Sequence, residues 1–316
     1  MKEQHKHIGH KPKKKVHHRV TKYLLEKDTL FATVWVFIFI VALGSIPLNL
    51  GILNPIKLGL KDFDFNDISY SKLGKAQNTP IDTNIVVINI GDANRGEIAM
   101  LIEKTASYKP KVMGLDVTFS GPRDPEQDSL LREVINKNSN LVLAVKYQTD
   151  TTDKLIATDN YFLTGSSLFG YVNFPSEDKE TVRAYFPFKS DDKDKNLVLP
   201  SFSSTLIKMY DKEAYKKIEK KVDKKLIINY TRAVTENKKQ YMVIEPEDLM
   251  SDNIDTSSIK GKIALLAYVN IDPNNIEDKK FTPMNEKFAG KSTPDMNGIF
   301  VHANIISMAL EKNYIK

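Results

Sequence analysis

The feature that most constrains this chain is a run with no charged side chain from Leu30 to Leu53. It holds Phe31, Trp35, Phe37, Ile38, Phe39, Ile40 and Val41, with Ser45, Pro47 and Asn49 toward its end. Roughly 20 apolar residues, each adding about 1.5 Å, cross a bilayer as a helix. A helix is required because backbone groups in lipid must bond within the segment. The run is long enough, so it predicts one transmembrane helix over 30–53, with Trp35 near one interface. Lys11, Lys13, Lys14, Lys15, Arg19 and Lys22 precede it, and an excess of Lys/Arg stays cytoplasmic. Residues 1–29 are therefore expected to form a basic cytoplasmic tail, with the large domain outside the cytoplasm. The rival reading is a cleaved signal peptide with Ala42-Leu43-Gly44 as the cleavage site. The long segment before the run, and the run's continuation past that site, favour an uncleaved anchor.

Charge follows the same division. The net charge of +6 sits in residues 1–29, where nine Lys/Arg face three Asp/Glu; the remaining 37 Lys/Arg and 37 Asp/Glu balance. A folded part without basic excess argues against nucleic acid as a partner. Five of the six histidines lie in the tail, leaving His302. Cysteine is absent, which excludes thiol catalysis, a disulfide scaffold and Cys-based metal sites.

Residues 54–82 read as a stalk of no single period, closed by Asn78-Thr79-Pro80. Residues 83–316 then read as one α/β domain. The continuous β-branched run Asn84–Ile90 predicts a strand buried on both faces. Arg95–Tyr108 and Asp124–Lys137 predict helices, with Lys111–Val117 and Leu141–Tyr147 as further strands. This β-α-β-α-β order implies a mostly parallel or mixed sheet flanked by helices on both faces. Short strands are expected over 150–200, a helix over Ser201–Lys221, and strands at Leu226–Tyr230, Tyr241–Ile244 and Lys262–Val269. A turn-rich loop over 270–298 precedes a final helix over Phe300–Asn313.

Catalytic motifs are missing. Ala289–Thr293 resembles the end of a phosphate loop, but the first glycine of that motif falls on Asn285 and Pro294 interrupts the helix that should follow, so a surface turn is the reading. What remains is a pattern of carboxylates. Asp92 and Asp116 follow two strands predicted to be parallel, where open α/β sheets place ligands. Asp272, Glu277 and Asp278 follow a third. Such acids suit a divalent cation or a cationic ligand; they also suit simple capping of turns and helices. His302, on the last helix, has the ordinary alternative of a hydrogen-bonded packing residue. Asn304, two residues on, falls on another face.

The succession VVINIGD, PKVMGLDVTFS, LVLA, GYVNFP with VRAYFP, INY, GKIALL, FTP and GIFVHANIISMAL resembles the type-2 CHASE domain from about Asp67 onward. That family is an extracytoplasmic sensory module of bacterial cyclases, histidine kinases and related signalling proteins. The resemblance singles out Asp92, Asp116, Phe119, Asn173, Arg183, Thr282-Pro283 and His302-Ala303-Asn304. Two departures stand out: Ala93–Arg95 replaces a Trp-Pro-rich turn, and the chain stops at Lys316, where the family continues into further membrane helices and an output domain.

The expectation is thus a single-pass protein of the bacterial inner (cytoplasmic) membrane. Its sensory domain would recognise a small molecule or an envelope protein and signal through a partner protein, a homo-oligomer or a missing output region. Its candidate ligand-binding residues are Asp92, Asp116, Asn173, Arg183, Asp278 and His302. No catalysis and no cofactor are expected, and the sequence assigns no metal. The alternative is a structural or docking subunit of an envelope complex. A third reading, a metal-dependent hydrolase built on the acids, lacks a visible base–nucleophile pair.

Overall fold

The computed structural model describes residues 27–45, 79–149, 154–158, 160–175, 181–285 and 293–315. The chain divides into two units, 1–58 and 59–316. In the first, helix α1 covers Lys27–Ser45. Leu30, Phe31 and every residue from Val34 to Val41 are exposed on it. Its 19 residues span only about 28 Å at 1.5 Å each, and it opens on Lys27 and Asp28. Among the described residues no helix is long and apolar enough to cross a membrane. Most of the tail, the run beyond Ser45 and nearly all of the stalk lie outside the described residues, as does the turn at 289–292.

The second unit is built on strands β1 Ile85–Asn89, β2 Val112–Leu115, β3 Leu141–Thr149, β4 Leu155–Thr158 and β5 Leu168–Tyr171. Helices α2 Arg95–Ser107 and α3 Pro125–Lys137 connect the first three. Then follow β6 Ala184–Tyr185, β7 Phe188–Ser190, β8 Val198–Pro200, α4 Phe202–Tyr210 and α5 Lys212–Lys216. The remainder is β9 Leu226–Ile227, β10 Met242–Ile244, α6 Pro246–Met250, β11 Ile263–Ala267, β12 Lys279–Lys280, β13 Met296–Asn297 and α7 Gly298–Leu310. The main sheet has seven strands in the order β10-β1-β11-β2-β3-β4, with β5 also on β3. Every pairing in it is parallel except β3 with β4. The fold is the expected mixed, mostly parallel α/β sheet.

Period-two alternation sends the side chains of β1 to two cores. Val86 and Ile88 pack with α2, α3 and α6, while Ile85 and Val87 pack with α4 and α7. Both sheet faces are therefore covered, as the unbroken apolar strands require. Helix starts follow local chemistry. Asn94 and Glu97 form a capping box at α2, and Asp124 accepts from the N–H groups of Glu126 and Gln127 ahead of Pro125.

Three expectations need correction. The helix anticipated over 201–221 is split at Asp211. That residue is extended (φ −141°), and its carboxylate caps α5 through the N–H groups of Glu213 and Ala214. An aspartate competes for backbone donors and so favours a fresh N-terminus over continuation. The strands at 226–230 and 241–244 shrink to β9 and β10. The loop at 270–298 contains the two-stranded antiparallel ribbon β12–β13, and α7 starts directly from it at Gly298.

α7 is buried from Gly298 to Ala309. α4 is seated against β5 so closely that a Cβ on Gly170 would stand 2.5 Å from the Phe202 backbone. Only a glycine permits that approach, and it carries Ser203 against α7.

Candidate ligand-binding site

The parallel pairing of β1, β11 and β2 puts the residues that follow them on one sheet edge. Asp92 follows β1, Asp116 follows β2, and the loop with Asp278 follows β11. Asp116 and Asp278 come within electrostatic reach of each other. Burial, and then Asp278, pushes Asp116 up to about 7, with Lys280 opposing. Burial also raises Asp278, against the pull of Lys280 and the Gly298 N–H. Asp116 is half-buried by surface and Asp278 exposed, so the edge they share is reached by water. Asp92 is exposed, and no contact joins it to this pair among the described residues. It does not cap α2; Asn94 does. Asp272 is a turn residue, accepting from the N–H of Asn274 at 2.8 Å.

Lys280 links the edge to His302. Burial, and then Lys280, lowers the imidazole to about 3, so His302 is neutral near pH 7. Its Nδ1 lies 2.9 Å from the Ser203 hydroxyl, and its ring packs on Phe174 and Phe202 at centroid distances of 4.9 and 5.4 Å. Ser203 is fully buried and His302 is 3% exposed, so this serine–histidine pair has no room for a substrate. Asn173 extends the β3–β5 pairing: its Oδ1 accepts from the Tyr147 N–H at 2.9 Å and its Nδ2 donates to the Tyr147 carbonyl at 3.3 Å. Arg183 is half-buried, and its carbonyl accepts from Ile228 N–H at 2.9 Å. Phe119 packs under the buried Arg95 guanidinium, 5.4 Å from ring centre, while Arg95 pairs with Asp128 at 2.5 Å. Of the six candidates, the structure therefore gathers Asp116, Asp278 and His302 around Lys280; among the described residues no contact joins Asp92 or Asn173 to that group, and Arg183 sits beside β9 through its backbone.

The ribbon β12–β13 has a second face. Lys279 opposes Asn297 and Lys280 opposes Met296. Alternation turns Lys280 toward the acids and Lys279 the other way, into a pocket of about 420 Å³. Its walls are the loop 233–238, the turn Asn270–Pro273, Met284 and Asn285, and 293–297. Its apolar surface comes from Ile271, Pro273, Met284 and Met296. Asp295 reaches it as a carboxyl held by Thr282, whose N–H donates at 2.8 Å and whose hydroxyl donates at 2.6 Å. Burial pushes Asp295 up to about 7. Burial lowers Lys279, whose ammonium donates to the Asp272 carbonyl and forms no ion pair with Asp295 among the described residues. Asn297 is 3% exposed, and its Nδ2 has no acceptor among the described residues. Sequence reasoning missed Lys279, Asp295 and Asn297; the Thr282-Pro283 signal pointed at their clasp without naming it.

One wall of this pocket belongs to a second buried polar group. Arg232, just before the loop 233–238, donates from Nε to the Pro80 carbonyl at 3.0 Å and from Nη2 to Glu311 at 2.6 Å, and lies 3.7 Å from Asp82. Asp82 accepts from the N–H groups of Asn84 and Ile85 and from the Ser307 hydroxyl. Gln240 accepts from the Ala233 N–H and donates to the Thr79 carbonyl. Asn304 accepts from the N–H groups of Thr231 and Arg232 and donates to the carbonyls of Arg232 and Phe300.

A family comparison matches residues 36–316 to the CHASE2 domain. The chain belongs to the CHASE2 family. The match reaches back into α1, well before Asp67. CHASE2 domains are extracytoplasmic sensory domains, so this chain carries a sensory module. No curated protein and no solved structure matches it. In this CHASE2 domain the His302-Ala303-Asn304 sequence is a structural hub: His302 holds α4, and Asn304 holds the loop that walls the pocket. Among the described residues no three His, Asp or Glu are grouped to hold a metal ion.

Proposed function

We propose that this chain is a membrane-anchored sensory module whose ligand occupies the pocket beside β12–β13 and whose occupancy is passed along the chain toward the anchor. One observation carries the reading. The loop that walls the pocket also grips, through Arg232 and Gln240, the segment 79–82, and that segment continues in sequence to the apolar run. In this reading a ligand that repositions the loop changes the hold on that segment without any chemistry, and the module is a sensor and not an enzyme. Signal output then passes through a partner protein or a second copy.

Membrane anchoring is supported by the uncharged run to Leu53 and by the apolar side chains exposed along α1, since a helix apolar all round is stable only in lipid or inside protein. In this reading residues 1–29 lie in the cytoplasm and 54–316 outside, at the bacterial inner membrane, an orientation supported by the basic tail. Lys154 is exposed, so a cysteine placed there tests this in the full chain. It should react with a membrane-impermeant thiol reagent in cells with a permeabilised outer barrier, while a cysteine in the tail stays protected. The opposite pattern would refute an extracytoplasmic sensor.

A further inference from the structure

Buried polar groups in folded proteins are paired almost without exception, and an unpaired one marks strain, an ordered water or a bound partner. The pocket beside β12–β13 is lined by one such group, on Asn297, and by two ionisable side chains held by short local contacts, Lys279 and Asp295. Asn297 presents an amide donor, buried and without an acceptor. Lys279, 9% exposed as a residue, presents an ammonium whose one hydrogen bond among the described residues goes to a backbone carbonyl. Asp295 presents a carboxyl held in place by Thr282 and reached by the Asn285 side chain, with acceptor capacity left for a further donor. Asp295 and Asp272 pull on Lys279 electrostatically, but among the described residues Lys279 and Asp295 form no ion pair and Asn297 bonds neither, although all three line the same space. A cation and an amide donor call for a carboxylate. A fixed carboxyl calls for an ammonium. Ile271, Pro273, Met284 and Met296 supply apolar wall between and around them.

We propose, building on the sensory reading above, that the pocket binds a free amino acid with an apolar side chain. Its α-carboxylate faces Lys279 and Asn297, its α-ammonium faces Asp295, and its side chain lies against Ile271, Pro273 and Met284. The two charged ends explain why one pocket holds a cation and an acid that do not pair with each other. At about 420 Å³, the space falls in the lower part of the range typical of small-molecule sites, roughly 300–1,000 Å³. The two ionisable groups behave as an empty zwitterion site should: burial pushes Asp295 toward its neutral form and Lys279 the same way, and opposite charges on a ligand would restore both.

The test is titration calorimetry on the full chain in detergent micelles, with empty micelles subtracted. L-Alanine, L-leucine and L-phenylalanine are the probes. The controls for L-leucine are 4-methylpentanoate, which lacks the ammonium, and 3-methylbutylamine, which lacks the carboxylate. Binding of at least one amino acid is expected, at least tenfold tighter than either of its singly charged analogues. Asn297→Ala should weaken it about tenfold, the equivalent of about 1.4 kcal/mol. Lys279→Met, which keeps the length and apolar stem of the side chain, should abolish it while the thermal unfolding curve stays cooperative. Equal affinity for an analogue, indifference to both variants, or no heat with any of the three amino acids would overturn the proposal. A null result in a protein that still labels as extracytoplasmic removes this ligand class and leaves the sensory reading standing.

Discussion

Two buried polar clusters lie side by side in the sensory domain, one around Arg232 and one around Lys279. Both combine a cation, an aspartate and an asparagine. Around Arg232 the pairing is nearly complete: the guanidinium is shared among Pro80, Glu311 and Asp82, and Asn304 makes four hydrogen bonds. Around Lys279 it is not: among the described residues the Asn297 Nδ2 has no acceptor, and Lys279 and Asp295 act on each other without forming an ion pair. A satisfied network fixes one arrangement of the chain, whereas an unsatisfied one raises the free energy of the empty state and lowers it on binding. The first cluster therefore holds the fold, and the second is built for an occupant.

That contrast can be broken most sharply at Arg232. Arg232→Ala leaves Asp82, whose side chain is 1% exposed, without its counter-charge. Removing one partner of a buried pair costs about 3–5 kcal/mol. A fall of roughly 10 °C in melting temperature is expected for a domain of this size, read by thermal unfolding. A drop within 2 °C would mean the cluster does not hold the fold. Asn304→Ala comes next, with a loss of about 2–3 kcal/mol, because two backbone N–H groups and two carbonyls lose their partner; a denaturant midpoint unchanged from wild type would contradict it.

A smaller effect concerns pH. Asp116 binds its proton more tightly folded than unfolded, so its contribution to stability is full below about pH 4 and is lost as pH rises through about 7. Other carboxylates, such as Asp128 and Asp191, are lowered and act in the opposite direction. The clean readout is therefore a difference: Asp116→Asn should melt a few degrees above wild type at pH 8, with the gap closing by pH 4. A gap that does not change with pH would mean Asp116 is solvated and uncoupled from Asp278. The smallest effect is expected at Asn297. Asn297→Ala breaks no hydrogen bond in the empty protein and should change stability by less than about 1 kcal/mol. A loss of several kcal/mol would show that Asn297 belongs with the structural cluster.

The contrast also explains what could be seen in the sequence. The strands were legible because Ile85–Asn89 and Ile263–Ala267 are buried on both faces and so carry unbroken β-branched or apolar runs. α2 and α3 were legible from their caps and stripes. The insertion of β11 between β1 and β2 was not, because strand order among parallel neighbours is set by contacts far apart in the chain. The edge holding Asp116 and Asp278 followed from strand direction alone. His302 and Asn173 came from the family resemblance, and the structure gives both of them packing partners. Lys279, Asp295 and Asn297 were hidden in a turn-rich stretch. Only the pairing of β12 with β13, a two-residue ribbon without an apolar pattern, brings them to one face.

In the proposed sensor, the pocket and the segment 79–82 communicate through the loop 231–240. Amide hydrogen exchange on the full chain, with and without a saturating amino acid identified by calorimetry, tests it most directly. Slower exchange is predicted at Ala233 and Gln240 in the loop and, together with them, at Asp82 and Ile85 in the segment that Arg232 holds. Slowing limited to the pocket walls, with Asp82 and Ile85 unchanged, would contradict it.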